Sequence, residues 1–294
     1  MYMGTIYETF RQELTDAVTK AGGGQTDVSI SRVNKINRTE EQITVRMKDS
    51  TVAPSLDLAM LYEAFTAGEP VWRIAEKLIK LATEVTYEMT PEITRESAQR
   101  NLFFCLASTE GNEELVKETA GAMVEGTDLF KAVRWAVGPD ASFLVKKQIL
   151  GAAGMTEPEA LQYAQKNTNA RGWVMKSLSS FIEEAGAVPD GDLRLEDVPL
   201  YILKWEGADG SAAILIDGCL AGVRQRLGSN FYILPSSRHE VLILPESGDT
   251  MAEQLRDLVR EINAGELLPH DKLSDNVYFY DGVKLTIAGK GADA

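Results

Sequence analysis

Apolar residues return every three or four positions at the start of the chain. Ile6, Phe10, Leu14, Val18 and Ala21 form one stripe and predict a helix over 5–21. Gly22-Gly23-Gly24 ends it, because glycine readily takes the left-handed conformation that closes helices. The period then drops to two. Segments 28–36 and 42–47, where Ile43, Val45 and Met47 alternate with polar residues, predict strands. Ser55 and Gly68 bracket a helix carrying Leu58, Leu61, Tyr62 and Phe65. A more amphipathic one follows with Val71, Ile74, Ala75, Leu78, Leu81, Ala82 and Val85.

The short apolar run 101–107 fits a buried strand or a helical turn, since its period does not discriminate. Segments 129–137 and 142–150 read as a hairpin turning at Gly138-Pro139-Asp140. Helices are predicted over 157–167 and 173–184, the first opened by a capping box, Thr156 with Glu159. Residues 186–197 form an acidic, turn-rich connector. Beyond it, strands are predicted at 200–205 and 212–216, joined by Gly207-Ala208-Asp209-Gly210, then a short helix to Leu227. Strands 231–234 and 240–244 pair across 235–239. A helix over 251–263 carries Met251, Leu255, Leu258 and Ile262 behind a second box, Thr250 with Glu253. Strands 277–280 and 283–287 flank Asp281-Gly282, a strong hairpin signal.

Neighbouring strands joined by hairpins make the sheet largely antiparallel, so the fold class is α+β with amphipathic helices packed on the sheet. Ala132-Val133-Arg134-Trp135 echoes Ile202-Leu203-Lys204-Trp205, and Phe143-Leu144-Val145 echoes Ala213-Ile214-Leu215. Two similar lobes by duplication and coincidence between two hairpins both stay open. The expected division is an N-terminal α/β lobe over 1–125, a C-terminal α+β lobe over 126–288 packed against it, and a disordered tail over 289–294.

Composition narrows the partners. Acidic residues outnumber basic ones 44 to 30, giving a net charge of −14. Nucleic acids and anionic membranes are both held through lysine and arginine, so neither is expected as a partner. The most basic stretch, from Arg32 to Lys48, is interrupted by Glu40 and Glu41 and reads as a solvated strand pair. Two cysteines do not make a disulfide framework. Cys105 reads as a core thiol, and Cys219 as a nucleophile or, more in keeping with its type, a buried small hydrophobe. The N-terminus lacks the basic and apolar regions of a signal peptide, and no stretch approaches ~20 apolar residues, so a cytoplasmic protein is expected.

The segment Phe231-Tyr232-Ile233-Leu234-Pro235-Ser236-Ser237-Arg238-His239-Glu240-Val241-Leu242-Ile243-Leu244-Pro245 is distinctive. So is Leu273-Ser274-Asp275-Asn276-Val277-Tyr278-Phe279-Tyr280 after the helix ending Val259-Arg260-Glu261-Ile262-Asn263. Together they resemble a bacterial family catalogued as domain of unknown function 5688. The likeness is strong over 198–281 and looser back to about residue 55. It implies an intracellular bacterial protein and no particular chemistry.

Candidate chemistry is sparse. His239-Glu240 begins a zinc-protease helix, but that motif needs a histidine four residues on, where Ile243 stands. With His270 as the other histidine, no histidine-rich metal site and no cofactor is expected. The acidic cluster Asp190, Asp192, Glu196 and Asp197 lacks calcium-loop spacing. No glycine-rich turn joins a strand to a helix in the manner of a phosphate loop. Ser236 or Ser237 as nucleophile, His239 as base and Asp275 as orienting carboxylate supply the residue types of nucleophilic catalysis. Glu240, Ser274, Asn276 and Asn167 are the candidate binding residues. Local turn and cap hydrogen bonds account for the same residues. The expected function is non-catalytic binding of a protein or small ligand, with a hydrolase using the serine–histidine–aspartate set as the alternative.

Overall fold

The first apolar stripe forms α1 (Tyr2–Ala21) in a computed structural model that describes residues 2–49, 53–84, 92–138, 141–184, 199–235, 237–248, 251–265 and 267–289. Backbone contacts divide the chain into two compact units, Met1–Glu92 and Ile93–Ala294. The boundary expected at 125/126 would instead pass between two hydrogen-bonded strands of the second unit.

In the first unit, β1 (Thr26–Lys35) and β2 (Arg38–Met47) pair antiparallel from Thr26↔Met47 to Lys35↔Arg38. A short strand unseen in the sequence, β3 (Ser55–Asp57), adds to β2, followed by α2 (Leu58–Thr66) and α3 (Val71–Glu84). Asp57 caps α2 by accepting from the Ala59 amide at 2.9 Å. Phe10, Leu14 and Val18 bury against Ile43 and Val45 of the sheet, Leu58, and Ile74, Ala75, Leu78 and Ala82 of α3. The outer members of the predicted stripes, Ile6 and Leu81, stay exposed. The basic hairpin is internally paired: Arg32 with Glu41, Lys35 and Arg38 with Glu40, Arg46 with Asp27.

The second unit runs α4 (Arg95–Asn101), β4 (Leu102–Ser108), α5 (Glu113–Glu118), β5 (Gly121–Met123), β6 (Leu129–Ala136), β7 (Ser142–Leu144), α6 (Lys147–Ala152) and α7 (Glu157–Asn169). It continues with β8 (Val174–Ser177), α8 (Leu178–Glu184), β9 (Tyr201–Lys204), a 3-10 helix (Gly210–Leu215) and α9 (Cys219–Leu227). The chain closes on β10 (Phe231–Leu234), β11 (Val241–Pro245), α10 (Ala252–Gly265), β12 (Tyr278–Tyr280) and β13 (Leu285–Ile287). One sheet has the order β4-β6-β5 with β7 also on β6; the other is β13-β12-β10-β11-β9-β8. Every pairing between these strands is antiparallel, as the α+β reading requires.

Past Asn101, which ends α4, the ambiguous run 101–107 is strand β4, and all seven residues of β4 are buried. Leu102, Phe104, Val133 and Trp135 pack with Ala160 and Ala164 of α7, while Phe103 and Leu106 join the core of the six-stranded sheet. That sheet alternates as period two demands. Phe231, Ile233, Val241 and Ile243 face this core, and Tyr232, Leu242 and Leu244 face Leu255 and Val259 of α10.

Four sequence expectations are corrected. Segment 142–150 is strand only to Leu144, because Leu150 and Ala153, three apart, bury one face of a helical turn. Segment 173–184 begins as strand β8, where Trp173 and Met175 alternate onto the core, and becomes helical at Leu178. Segment 212–216 is not a strand. Both edges of β9 are occupied, by β8 and β11, so small buried residues 210–214 coil into a 3-10 helix. The two echoing segments therefore differ in structure. The last hairpin turns through four residues, with Tyr280 opposite Leu285 and Asp281 Oδ1 accepting from the Val283 and Lys284 amides. The Gly138-Pro139-Asp140 turn, the 186–197 connector, Thr250 of the second box and the tail beyond 289 lie at least partly outside the described residues.

The first capping box is present. The Thr156 amide donates to Glu159 Oε2 at 2.9 Å and the Glu159 amide to Thr156 Oγ1 at 3.5 Å. The Thr156 amide, then Arg95, holds the Glu159 carboxyl down to about 2 against an ordinary 4.5. A depressed folded-state value stabilises above the unfolded one and loses that effect as pH falls. Glu159→Gln should therefore flatten the decline of unfolding free energy between pH 4.5 and about 2, read by urea titrations across that range. An unchanged acid limb would refute the linkage.

Candidate functional site

The site starts from the turn after β9. Trp205 Nε1 donates to the Ala208 carbonyl at 2.8 Å and closes it. Asp209 sits at φ 58°, a left-handed conformation that aspartate tolerates better than most residues. At Gly210 a Cβ would meet the His239 carbonyl oxygen at 2.3 Å, so no side chain fits against the 235–240 loop. This close approach delivers the Asp209 carboxylate, 2% exposed, to two arginines.

Arg238 donates from Nε to Asp209 Oδ1 at 3.0 Å and from Nη2 to the same oxygen. Its backbone is also held: the amide donates to the Asp271 carbonyl at 2.8 Å, and its carbonyl accepts from Ser211 Oγ at 2.7 Å. Arg134, on β6, lies with Nε 3.5 Å from Asp209 Oδ2 and bonds Ser142 Oγ and the Ser142 carbonyl at 2.9 and 3.1 Å. Burial pulls the Arg238 guanidinium down, and Asp209 outweighs it and holds the charge. Against this cluster, burial first and the Asp209 charge second push the Cys105 thiol up to about 12.

A third arginine follows α7. The guanidinium carbon of Arg171 stands 3.9 Å from the Phe103 ring centroid and 4.9 Å from that of Trp205. Burial lowers its pKa, and Asp209 opposes that shift. Among the described residues no carboxylate forms an ion pair with Arg171 and no hydrogen bond occupies its guanidinium. Two guanidinium groups thus share one carboxylate, and a third stands against the aromatic rings beside them without an ion-pair partner among the described residues.

The residues singled out from sequence are distributed differently. Ser236 lies outside the described residues, as do Asp190, Asp192, Glu196 and Asp197. Ser237 is buried, and its Oγ accepts from the His239 amide at 2.9 Å. His239 Nε2 lies 3.0 Å from Asp271 Oδ1, while Nε2 of His270 lies 3.7 Å from the other oxygen. Asp275 is engaged elsewhere, accepting from Asn263 Nδ2 at 2.7 Å and Lys272 Nζ at 2.6 Å. Burial raises its pKa, but these donors outweigh it and leave the carboxyl below its usual value. The aspartate beside His239 is therefore Asp271, not Asp275.

Ser274 belongs to a third group. Its hydroxyl donates to Asp128 Oδ2 at 2.9 Å and accepts from the Asn276 amide at 3.0 Å. Ser108 and Tyr278 hydroxyls complete the Asp128 carboxylate at 3.1 and 2.6 Å. Glu240 is half-buried just before β11. Asn167 donates to the Gln99 and Leu102 carbonyls at 3.0 and 2.8 Å and so ties α7 to the start of β4. Cys219 is buried, and burial pushes its thiol up to about 12. Among the described residues no three histidine, cysteine, aspartate or glutamate side chains group to hold a metal ion. Nor is any helix among them long and apolar enough to cross a membrane.

Asp209, Arg238, Arg134 and Arg171 were not picked out as site residues from sequence. Gly207-Ala208-Asp209-Gly210 reads as an ordinary turn, and Arg238 sits between two residues that attract notice first. Only the pairing of β9 with β11 shows that the turn and the arginine meet.

A family model described as a family of unknown function, DUF5688, matches residues 7–282. No curated protein and no solved structure matches the chain. Because the match spans nearly the whole sequence, including the distinctive 231–245 and 273–280 segments, the chain belongs to the DUF5688 family.

Proposed function

We propose that this protein is a non-catalytic cytoplasmic binder that holds a small ligand or a partner protein non-covalently at the arginine cluster. One observation carries the reading: Arg171, set against the Phe103 and Trp205 rings, has no carboxylate partner among the described residues, beside two arginines that share Asp209. The residue is exposed, so a ligand can reach its guanidinium from solvent. Contact with aromatic faces holds such an exposed cation by about 0.5–1 kcal/mol. A ligand would supply the missing partner. Two free, buried thiols and the acidic balance support the cytoplasmic assignment.

Thermal denaturation of the intact protein against a library of acidic, neutral and basic small molecules and peptides tests this. At a hundredfold excess over Kd, a ligand of the folded state should stabilise it by about 2.7 kcal/mol. That shift should shrink in Arg171→Ala. A wild-type protein stabilised by no compound would count against binding. Ester hydrolysis that disappears in His239→Ala would favour the alternative hydrolase, with Ser237 and Asp271 beside His239.

A further inference from the structure

We infer that the ligand is recognised through an oxyanion, a carboxylate or phosphate group, gripped by the N–H edge of Arg171. This rests on the binding reading above and adds the chemistry of the ligand. The three arginines are not equivalent. Arg238 spends Nε and Nη2 on Asp209. Arg134 spends Nε and Nη2 on Ser142, with Asp209 beside it. Both are built into the fold. Arg171 is anchored against two aromatic rings, its guanidinium carbon 3.9 Å from the Phe103 centroid and 4.9 Å from that of Trp205.

A planar guanidinium can lie parallel to only one of two rings inclined at 69°, so the pair fixes its position. The N–H groups on the exposed side remain as a fork open to solvent. Such a fork matches two oxygens of a carboxylate or phosphate, and charge-assisted bonds of this kind are about twice as strong as neutral ones. The neighbouring charges leave room for the same ligand. Arg134 and Arg238 are balanced by Asp209 and by Asp271, which also acts on Arg238, so the unpaired charge of Arg171 itself repels a cation and attracts an oxyanion. Trp205 and Asp209 come from one turn, so the ring that braces Arg171 and the carboxylate that balances its neighbours are positioned together.

The test is calorimetric titration of the full chain with inorganic phosphate and, separately, succinate, at constant ionic strength set by sodium chloride. The two arms distinguish a phosphate-bearing from a carboxylate-bearing ligand. We expect one of them to bind, with affinity falling about tenfold or more in Arg171→Ala. Arg171→Lys should lose most of that affinity too, because an ammonium keeps the charge but not the fork. Arg46→Ala, in the other unit, should leave it unchanged. Circular dichroism confirms that each variant is folded, and Arg171→Lys serves if Arg171→Ala is not. Wild-type protein that binds neither anion, or anion binding equal in wild type and Arg171→Lys, overturns the inference. If neutral or basic compounds of the library stabilise the protein while both anions fail, ligand binding stands and the oxyanion assignment falls.

Discussion

Asp209→Asn should lower the unfolding free energy by about 3–5 kcal/mol, the usual cost of removing one partner from a buried ion pair. The side chains of Arg238 and Arg134 are 17% and 16% exposed, so water replaces little of what the carboxylate supplies. Asparagine keeps the size and the tolerance for the left-handed backbone at φ 58°, and the change therefore isolates charge. Urea unfolding should show a lower midpoint at unchanged slope. Asp209→Asn combined with Arg238→Met should recover part of the loss, because the stranded cation is gone. A cost below about 1 kcal/mol for the single change would mean that the pair behaves as a surface salt bridge.

Trp135→Ala should cost a similar amount, about 3–5 kcal/mol, for a different reason. Trp135 is 1% exposed on β6 and stacks on Phe143 with ring centroids 6.0 Å apart. Its removal leaves a cavity between the β4–β6 pair and the helices that cover it, and Leu102 and Phe104 cannot leave their strand to fill it. Trp72, 56% exposed on α3, provides the contrast. Trp72→Ala should stay within about 0.5 kcal/mol of wild type, as surface changes do. Equal losses at both positions, measured by the same urea titration, would refute the packing argument.

Much of the architecture was written locally. The stripe of Phe10, Leu14 and Val18 has to be helical, because only a period near 3.6 puts them on one face. The alternation of Phe231 and Ile233 with Tyr232 identifies a strand with two different faces, and the structure gives each its own core. Thr156 and Glu159 mark a helix start because their hydrogen bonds span three residues. Signals of this kind survive in a single sequence.

Other features depend on partners far along the chain. Residues 212–216 have the composition of a strand but no free edge to join, since β8 and β11 already flank β9. Residues 173–177 look helical until β9 offers them an edge. At the candidate site the sequence showed serine, histidine and aspartate within two short loops, and the fold gave each a separate hydrogen-bonding partner. The guanidinium cluster comes from β6, the end of α7, the turn after β9 and the 235–240 loop. Local period and capping act over a few residues and are legible in the chain itself. Which edge is vacant, and which charge faces which, is settled only when distant segments pack, because both depend on distance in space.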